Sequence, residues 1–271
     1  MPRPTQAFID LSALAHNLTI VRQHAPNARI MAVLKANAYG HGLLHTASAL
    51  KDVDGFALLE LDAAICLRDA GYRQPILLLE GFFSTEELAL FEQYRLSAVI
   101  HHPEQIAMLS DSKYHKLDLF IKINTGMNRL GLALEQFPLT IQKLTGNQYA
   151  NQITLMTHFA CADDPAEEED VMRQLECFEA ITKGCGYPRS LANSAAIIRY
   201  PETHSDWVRP GIMLYGASPF PDKTALELNL QPAMTLSSRI IAIHELKTGD
   251  RVGYHGLFQA DHPMRIGIVA C

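Results

Sequence analysis

Short apolar runs rich in Val, Ile and Leu recur along the chain, and between them the apolar positions fall at helical spacing. The runs are ARIMAVLK (28–35), GFALLE (55–60), PILLLE (75–80), SAVIH (97–101), LDLFIKIN (117–124), ITLMTHF (153–159), RSLAN (189–193) and DWVRPGIMLYG (206–216). Near-continuous apolar runs, rather than alternating ones, belong to strands buried on both faces, as in a parallel sheet. In the intervening LDAAICLRDAG, Leu61, Ala64, Ile65 and Leu67 have helical spacing and Gly71 can end the helix. In STEELALFEQYR, Ser84 and Glu87 stand at capping-box spacing. A first helix over 11–25 precedes the first run and ends before Pro26. Eight strands alternating with helices over roughly 220 residues predict an α/β fold, a closed (β/α)8 TIM-like barrel.

After Gly216 the pattern changes. SPFPDKTALELNLQP has three prolines and no period, and MTLSSRIIAIHELKTGDRVGYHG reads as strand, turn, strand with the turn at Lys247-Thr248-Gly249-Asp250. With no helix between, this predicts the beginning of a mainly β domain over 233–271, a barrel over 11–232, and an N-terminal strand over 1–10 associated with the β domain. DHPMRIGIVAC opens another apolar run that ends at Cys271. Unpaired strand edges and an unfilled core would follow, so the β domain is expected to be incomplete in this chain. DDPAEEED (163–170) reads as a solvated loop entering an acidic helix start.

In a (β/α)8 barrel the active site lies at the C-terminal ends of the strands. The runs end on Lys35, Glu60, Glu80, His101, Lys122 with Asn124, His158, Asn193 with Ser194, and Arg209. Taken singly, Glu60, Glu80 and His101 need no explanation beyond a strand giving way to a polar loop; the ring as a whole is harder to dismiss.

Composition narrows the ligand. Net charge is −6 and the pI is near 6.0, and no basic stripe interrupts that balance, so neither nucleic acid nor an anionic membrane surface is the expected partner. A small molecule is. No stretch of eighteen apolar residues and no secretory leader pattern is found, which gives a cytoplasmic expectation. Cys66, Cys161, Cys177, Cys185 and Cys271 are scattered and odd in number, as expected of reduced thiols. His41 and His45 have metal-ligand spacing without a third ligand, so no metal is expected.

A lysine ending a buried strand is a candidate for Schiff-base chemistry, because desolvation lowers its pKa. A lone lysine is more often an ion-pair partner, but Lys35 is followed by Ala36-Asn37-Ala38-Tyr39-Gly40-His41-Gly42, a loop of little bulk with one aromatic hydroxyl, which a planar ligand could approach. NSAA and RPGIMLYG offer a hydroxyl, small residues and exposed backbone N–H groups at the ends of the last two runs, where barrels commonly hold phosphate.

VLKANAYGHG, KINTGMNRLG, THFA, NSAA and RPGIMLYG, in this order and at these separations, resemble the alanine racemases, pyridoxal 5′-phosphate enzymes built from a barrel and a C-terminal β domain. The resemblance runs from residue 5 to 271. It implies that Lys35 holds the cofactor and serves as the base on one face of the substrate α-carbon. Tyr39, Asn193, Ser194, Gly211 and Ile212 would bind the cofactor, most of them through its phosphate. Arg209 would face the pyridine nitrogen, with His158 beside the ring and hydrogen-bonded to Arg209. Arg129 would meet the substrate carboxylate, oriented by Lys122, a candidate for carbamylation. The family is a cytoplasmic homodimer that supplies D-alanine for peptidoglycan.

The same resemblance implies a second base, a tyrosine on the opposite face, in a motif that follows a run like RIGIVAC. This chain stops at the cysteine, so low racemase activity is the expectation for it. Tyr254, in RVGYHG, lies upstream of that motif and reads as structural. Other readings are a PLP-binding barrel without racemase activity, a racemase of broader specificity, or a barrel serving only as an interaction module.

Overall fold

The computed structural model describes residues 3–111, 116–145 and 149–271. The chain forms two compact units, Leu11–Ala233 and, together, Met1–Asp10 with Met234–Cys271.

The strands are β1 (Gln6–Ile9), β2 (Arg29–Val33), β3 (Gly55–Leu58), β4 (Ile76–Leu78), β5 (Ser97–Ile100), β6 (Leu117–Lys122), β7 (Ala150–Met156), β8 (Arg189–Ser190), β9 (Trp207–Val208), β10 (Met234–Ser237), β11 (Ile240–Leu246), β12 (Arg251–Val252), β13 (Phe258–Gln259) and β14 (Met264–Val269). Strands β2 to β9 pair in sequence order, all parallel, and β9 returns to β2 through Arg29 opposite Trp207 and Ile30 opposite Val208. This is the closed eight-stranded barrel that the apolar runs predict. Met31, Val33, Ala57, Leu77, Val99, Phe120, Met156 and Trp207 fill its interior. They come from seven of the eight strands, and a side chain only every second residue points inward.

The apolar runs are longer than the strands they predict. In DWVRPGIMLYG only Trp207 and Val208 are strand. Pro210 has no N–H to donate to a ladder, and Ile212–Tyr215 turns into a 3₁₀-helix closed by Gly216 at φ 82°. Asn17, fully buried in the helix Leu11–His24, holds this turn: its Nδ2 donates to Leu214 O (2.9 Å) and Gln231 O (2.8 Å), and its Oδ1 accepts from Gln231 N–H (2.8 Å). The helix expected from STEELALFEQYR starts at Glu87, with Glu86 rather than Ser84 at its N-cap. The Glu87 carboxylate accepts from Phe83 N–H at 2.8 Å, so the acid does reach back to a free donor, one residue earlier than expected. DDPAEEED becomes a 3₁₀ turn, Pro165–Glu167, running into the helix Glu168–Thr182 with three acids in its first turn, where they face the positive end of the dipole.

In the second unit β1 pairs antiparallel with β10, β11 with β14, and β12 with β13. The turn at 247–250 forms as read, with Lys247 N–H donating to Asp250 Oδ2 (2.8 Å) and Gly249 at φ 92°. It does not make a hairpin, however. β12 leaves the turn to pair with β13, while β11 takes β14 along six residue pairs. A β-turn in sequence fixes a local reversal but not which strand the chain meets next. Tyr254 is 96% exposed, so the structural reading of it finds no packing in this unit.

Candidate active site at the barrel mouth

A cavity of about 510 Å³ opens at the C-terminal ends of the strands. Lys35, Tyr39, Lys122, Arg129, His158, Asn193, Ser194, Arg209, Gly211 and Ile212 all line it, so the residues that the family motifs single out converge on one site. Of the remaining strand-end groups, Glu80 lines the cavity, while Glu60 and His101 stand outside its lining. Glu60 takes the N-cap position of Leu61–Asp69, and His101 Nε2 lies 3.0 Å from Glu80 O.

Lys35 emerges two residues after β2. The small-residue segment behind it is not an open loop, as expected, but a single turn of left-handed helix, with Ala36, Asn37, Ala38 and Tyr39 at φ 53, 52, 56 and 52°. Gly40 at φ 81° ends the turn and donates its N–H to Ala36 O at 3.0 Å; Asn37 Oδ1 accepts from Leu43 N–H at 2.9 Å. The strongly buried lysine of the site is Lys122 rather than Lys35, which is only half-buried.

Tyr39 points across to Gly211. A Cβ at Gly211 would stand 2.8 Å from the Tyr39 hydroxyl oxygen, so a larger residue there would have to push the tip of the Tyr39 side chain aside. Gly211 N–H donates to Ser194 Oγ at 2.9 Å. With its oxygen so engaged, the Ser194 hydroxyl hydrogen is left to donate toward the cavity. Ile212 opens the 3₁₀ turn, where the first N–H groups have no partner within the turn. Asn193, which also lines the cavity, caps Ser194–Arg199: its Oδ1 accepts from Ala196 N–H (3.0 Å), and its Nδ2 reaches Phe159 O (3.4 Å).

Arg209 is 4% exposed. Its Nη1 donates to Ser190 Oγ (2.7 Å), and its Nη2 to Thr157 O (2.7 Å), Leu191 O (3.0 Å) and His158 Nδ1 (3.1 Å). Among the described residues Nε donates to no protein group. Burial pulls the guanidinium down to about 9, still cationic at neutral pH. Since arginine can only donate, His158 Nδ1 must be the acceptor, and its single proton sits on Nε2. Burial first, then the charges of Arg209, Lys122, Arg129 and Lys35, hold the His158 imidazole well below its ordinary range, so it is neutral.

Lys122 is 6% exposed and is pushed down to about 8, by burial first and then by Arg209 and Arg129, with Glu80 acting the other way. Arg129 rides on a loop that Asn124 folds back: Asn124 Oδ1 accepts from Gly126 and Asn128 N–H (3.2 and 3.0 Å), and Leu132 N–H returns to Lys122 O (2.8 Å).

Sequence reading missed the groups that hold these in place. Thr157 Oγ1 bonds Thr125 Oγ1 (2.8 Å) and donates to Ile123 O (3.0 Å). Gln174, 2% exposed, donates from Nε2 to Thr125 Oγ1 and His158 O (both 3.2 Å), and its Oε1 accepts from Ala160 N–H (2.9 Å). The available signal was a glutamine at a core-facing position of an otherwise amphipathic helix.

The donor set fits a planar, phosphorylated cofactor: a lysine amine, two hydroxyls and a backbone N–H around one glycine gap, and a buried guanidinium with an open Nε. Comparison with known proteins agrees with the geometry. The family model for the alanine racemase N-terminal domain matches residues 9–219, and the one for the alanine racemase C-terminal domain matches 233–271. The latter match counts against a barrel-only protein. An alanine racemase of Nitrosospira multiformis is 60% identical over 271 residues, covering 100% of this chain and 76% of that protein. A catabolic alanine racemase of Klebsiella aerogenes is 49% identical, covering 100% of this chain and 76% of its own length. The crystal structure of the biosynthetic alanine racemase from Pseudomonas aeruginosa superposes with a TM-score of 0.94 at 41% identity, covering 100% of this chain and 76% of that one. The chain belongs to the alanine racemase family, a family of amino-acid racemases within the isomerases.

Proposed function

We propose that the barrel-mouth cavity holds pyridoxal 5′-phosphate and that the protein uses it to interconvert L-alanine and D-alanine. When bound, the cofactor withdraws electrons from the substrate α-carbon and so acidifies its proton. Lys35 Nζ would hold the cofactor and would serve as the base that takes up or returns the α-proton on one face, as one of two bases. The Tyr39 and Ser194 hydroxyls and the Ile212 N–H would bind the phosphate, with Gly211 giving it close access to the backbone.

Arg209 would face the pyridine nitrogen. An arginine would donate a hydrogen bond there without surrendering its proton, so the ring would stay neutral and proton return would be favoured over deeper electron withdrawal. His158, neutral and locked by Arg209, supplies a flat wall beside the ring. Arg129 pairs with the substrate carboxylate. Lys122, with an amine partly neutral near pH 8 and cations around it, is suited to carry carbon dioxide as an anionic carbamate that orients Arg129. The working unit is a cytoplasmic homodimer, and its D-alanine goes to peptidoglycan.

The observation that carries this reading is the convergence of Lys35, Tyr39, Ser194 and Arg209 on one cavity. Borohydride reduction followed by peptide mapping should place pyridoxyl on Lys35. Lys35→Ala should abolish the visible absorbance of the bound cofactor and slow alanine racemisation by about 10³-fold or more. A cofactor band that survives Lys35→Ala would refute the assignment.

A further inference from the structure

The left-handed turn behind Lys35 needs an explanation of its own. Four successive residues with a Cβ, Ala36 to Tyr39, all have φ between 52 and 56°. L-residues visit this region singly and at a cost, so such a turn persists only where its surroundings over-determine it. Asn37 and Gly40 secure it from within. From outside, one side chain touches its last ring and the residues on either side of it.

That side chain is Tyr215, the last residue of the 3₁₀-helix that begins at Ile212. It is 5% exposed. Its hydroxyl donates to Val33 O at 2.9 Å, two residues before Lys35. Its ring centroid lies 4.6 Å from that of Tyr39 at 31°, and 4.6 Å from that of His41 at 39°. The His41 ring is tied in turn to the strained segment, with Nδ1 3.0 Å from Tyr39 O and 3.1 Å from Ala38 O. Burial pushes the Tyr215 phenol far above its ordinary value, so it remains a donor at any working pH.

Tyr215 therefore grips the entry to the turn, its terminal ring and the residue just past Gly40. Its own backbone turn carries the Gly211–Ile212 half of the cradle. We propose that Tyr215 is a positioning residue that sets the Tyr39 hydroxyl, and with it the left-handed turn, against the Gly211–Ile212 backbone, so that the two halves of the phosphate cradle are held in register before the cofactor arrives. The proposal rests on the cofactor reading above and assigns a role to a residue that does not itself touch the cofactor.

The test is cofactor affinity of the apo-protein rather than turnover. Pyridoxal 5′-phosphate is titrated into wild type, Tyr215→Phe, Tyr39→Phe and the double variant, followed by absorbance, and the apo-protein melting temperature is measured for each. Thr182→Val serves as the control: Thr182 is fully buried and its hydroxyl donates to Phe178 O at 2.7 Å, so it loses a comparable hydrogen bond away from the cradle. Tyr215→Phe keeps the ring stack and loses only the hydroxyl. Its dissociation constant should rise about fivefold, the value of one hydrogen bond, with a melting temperature no lower than that of Thr182→Val. Thr182→Val should bind as wild type does. The double variant should lose less than the product of the two single losses, because both act through the Tyr39 hydroxyl.

A Tyr215→Phe dissociation constant within about twofold of wild type, well below the value of one hydrogen bond, overturns the proposal. So does a double variant whose losses multiply. Wild-type apo-protein that shows no saturable uptake at all refutes the cofactor reading itself, an outcome distinct from either.

Discussion

Arg68 and Arg209 are buried to similar depth, 9 and 4% exposed, at opposite ends of the same barrel, and they differ in what their donors face. At the floor, Arg68 gives Nε to Tyr94 O (2.7 Å), Nη1 to Tyr72 O (3.0 Å) and Gln74 O (2.7 Å), and Nη2 to Arg95 O (2.9 Å). Every acceptor is a backbone carbonyl of the loops entering β4 and β5. At the mouth, Arg209 gives Nη1 and Nη2 to the fold, engages a titratable partner in His158, and lines the cavity. A buried cation alone is thus no sign of a site. What marks Arg209 is its company, a titratable partner in His158 and a cavity that Lys35, Tyr39 and Ser194 also line.

The comparison can be broken from either side. Arg209→Lys keeps the charge but cannot reach Ser190, Thr157, Leu191 and His158 together, since an ammonium lacks the planar fork. Racemisation by this variant should fall about 10²- to 10³-fold, the usual cost of a misplaced electrostatic group, measured as D/L-alanine exchange at saturating cofactor. Turnover close to wild type would place Arg209 with Arg68 as a scaffold residue. Arg68→Met should do the reverse. Removing the staple leaves four loop carbonyls to find water and should lower unfolding free energy by about 3 kcal/mol, read by chemical denaturation. Exchange per folded molecule should be unchanged, and a fall beyond about threefold would mean that floor and mouth are coupled more tightly than their separate bonding networks imply.

This difference also marks what the sequence could convey. The barrel was legible because parallel strands covered on both faces leave apolar runs with few polar interruptions. The site was legible as an address, since strand ends are the one place where a (β/α)8 barrel exposes chemistry. The same rule put Glu60 and His101 in the ring, although Glu60 sits at a helix cap and His101 leans on the Glu80 carbonyl. Hydrogen bonds between distant segments left no trace: nothing in Gln174, Thr157 or Tyr215 announces a partner 16, 34 or 182 residues away. Nor did composition disclose the left-handed turn, because Ala-Asn-Ala-Tyr has no glycine to signal positive φ. The turn's local ties, from Asn37 Oδ1 and the Gly40 N–H, are visible only once the segment is folded.

Lys122 offers a finer test, in which the cost of a mouth-facing cation is read directly from stability. Its folded-state pKa of about 8 lies below the reference value of 10.5, so between these values the unfolded chain binds more protons than the native one. Stability then rises with pH across that window, and below it the penalty is fully present. The penalty is on the order of 3 kcal/mol at neutral pH. In buffer free of carbon dioxide, Lys122→Met should therefore be more stable than wild type at pH 7, by up to that amount, and the gain should fade as pH approaches 10.5. Adding bicarbonate should shrink the gain at pH 7 as well, because a carbamate turns the stranded cation into an anion among Arg209, Arg129 and Lys35. A Lys122→Met variant less stable than wild type at pH 7 without bicarbonate would show that the ammonium is held by the fold, as Arg68 is, rather than kept in the mouth against the fold's preference.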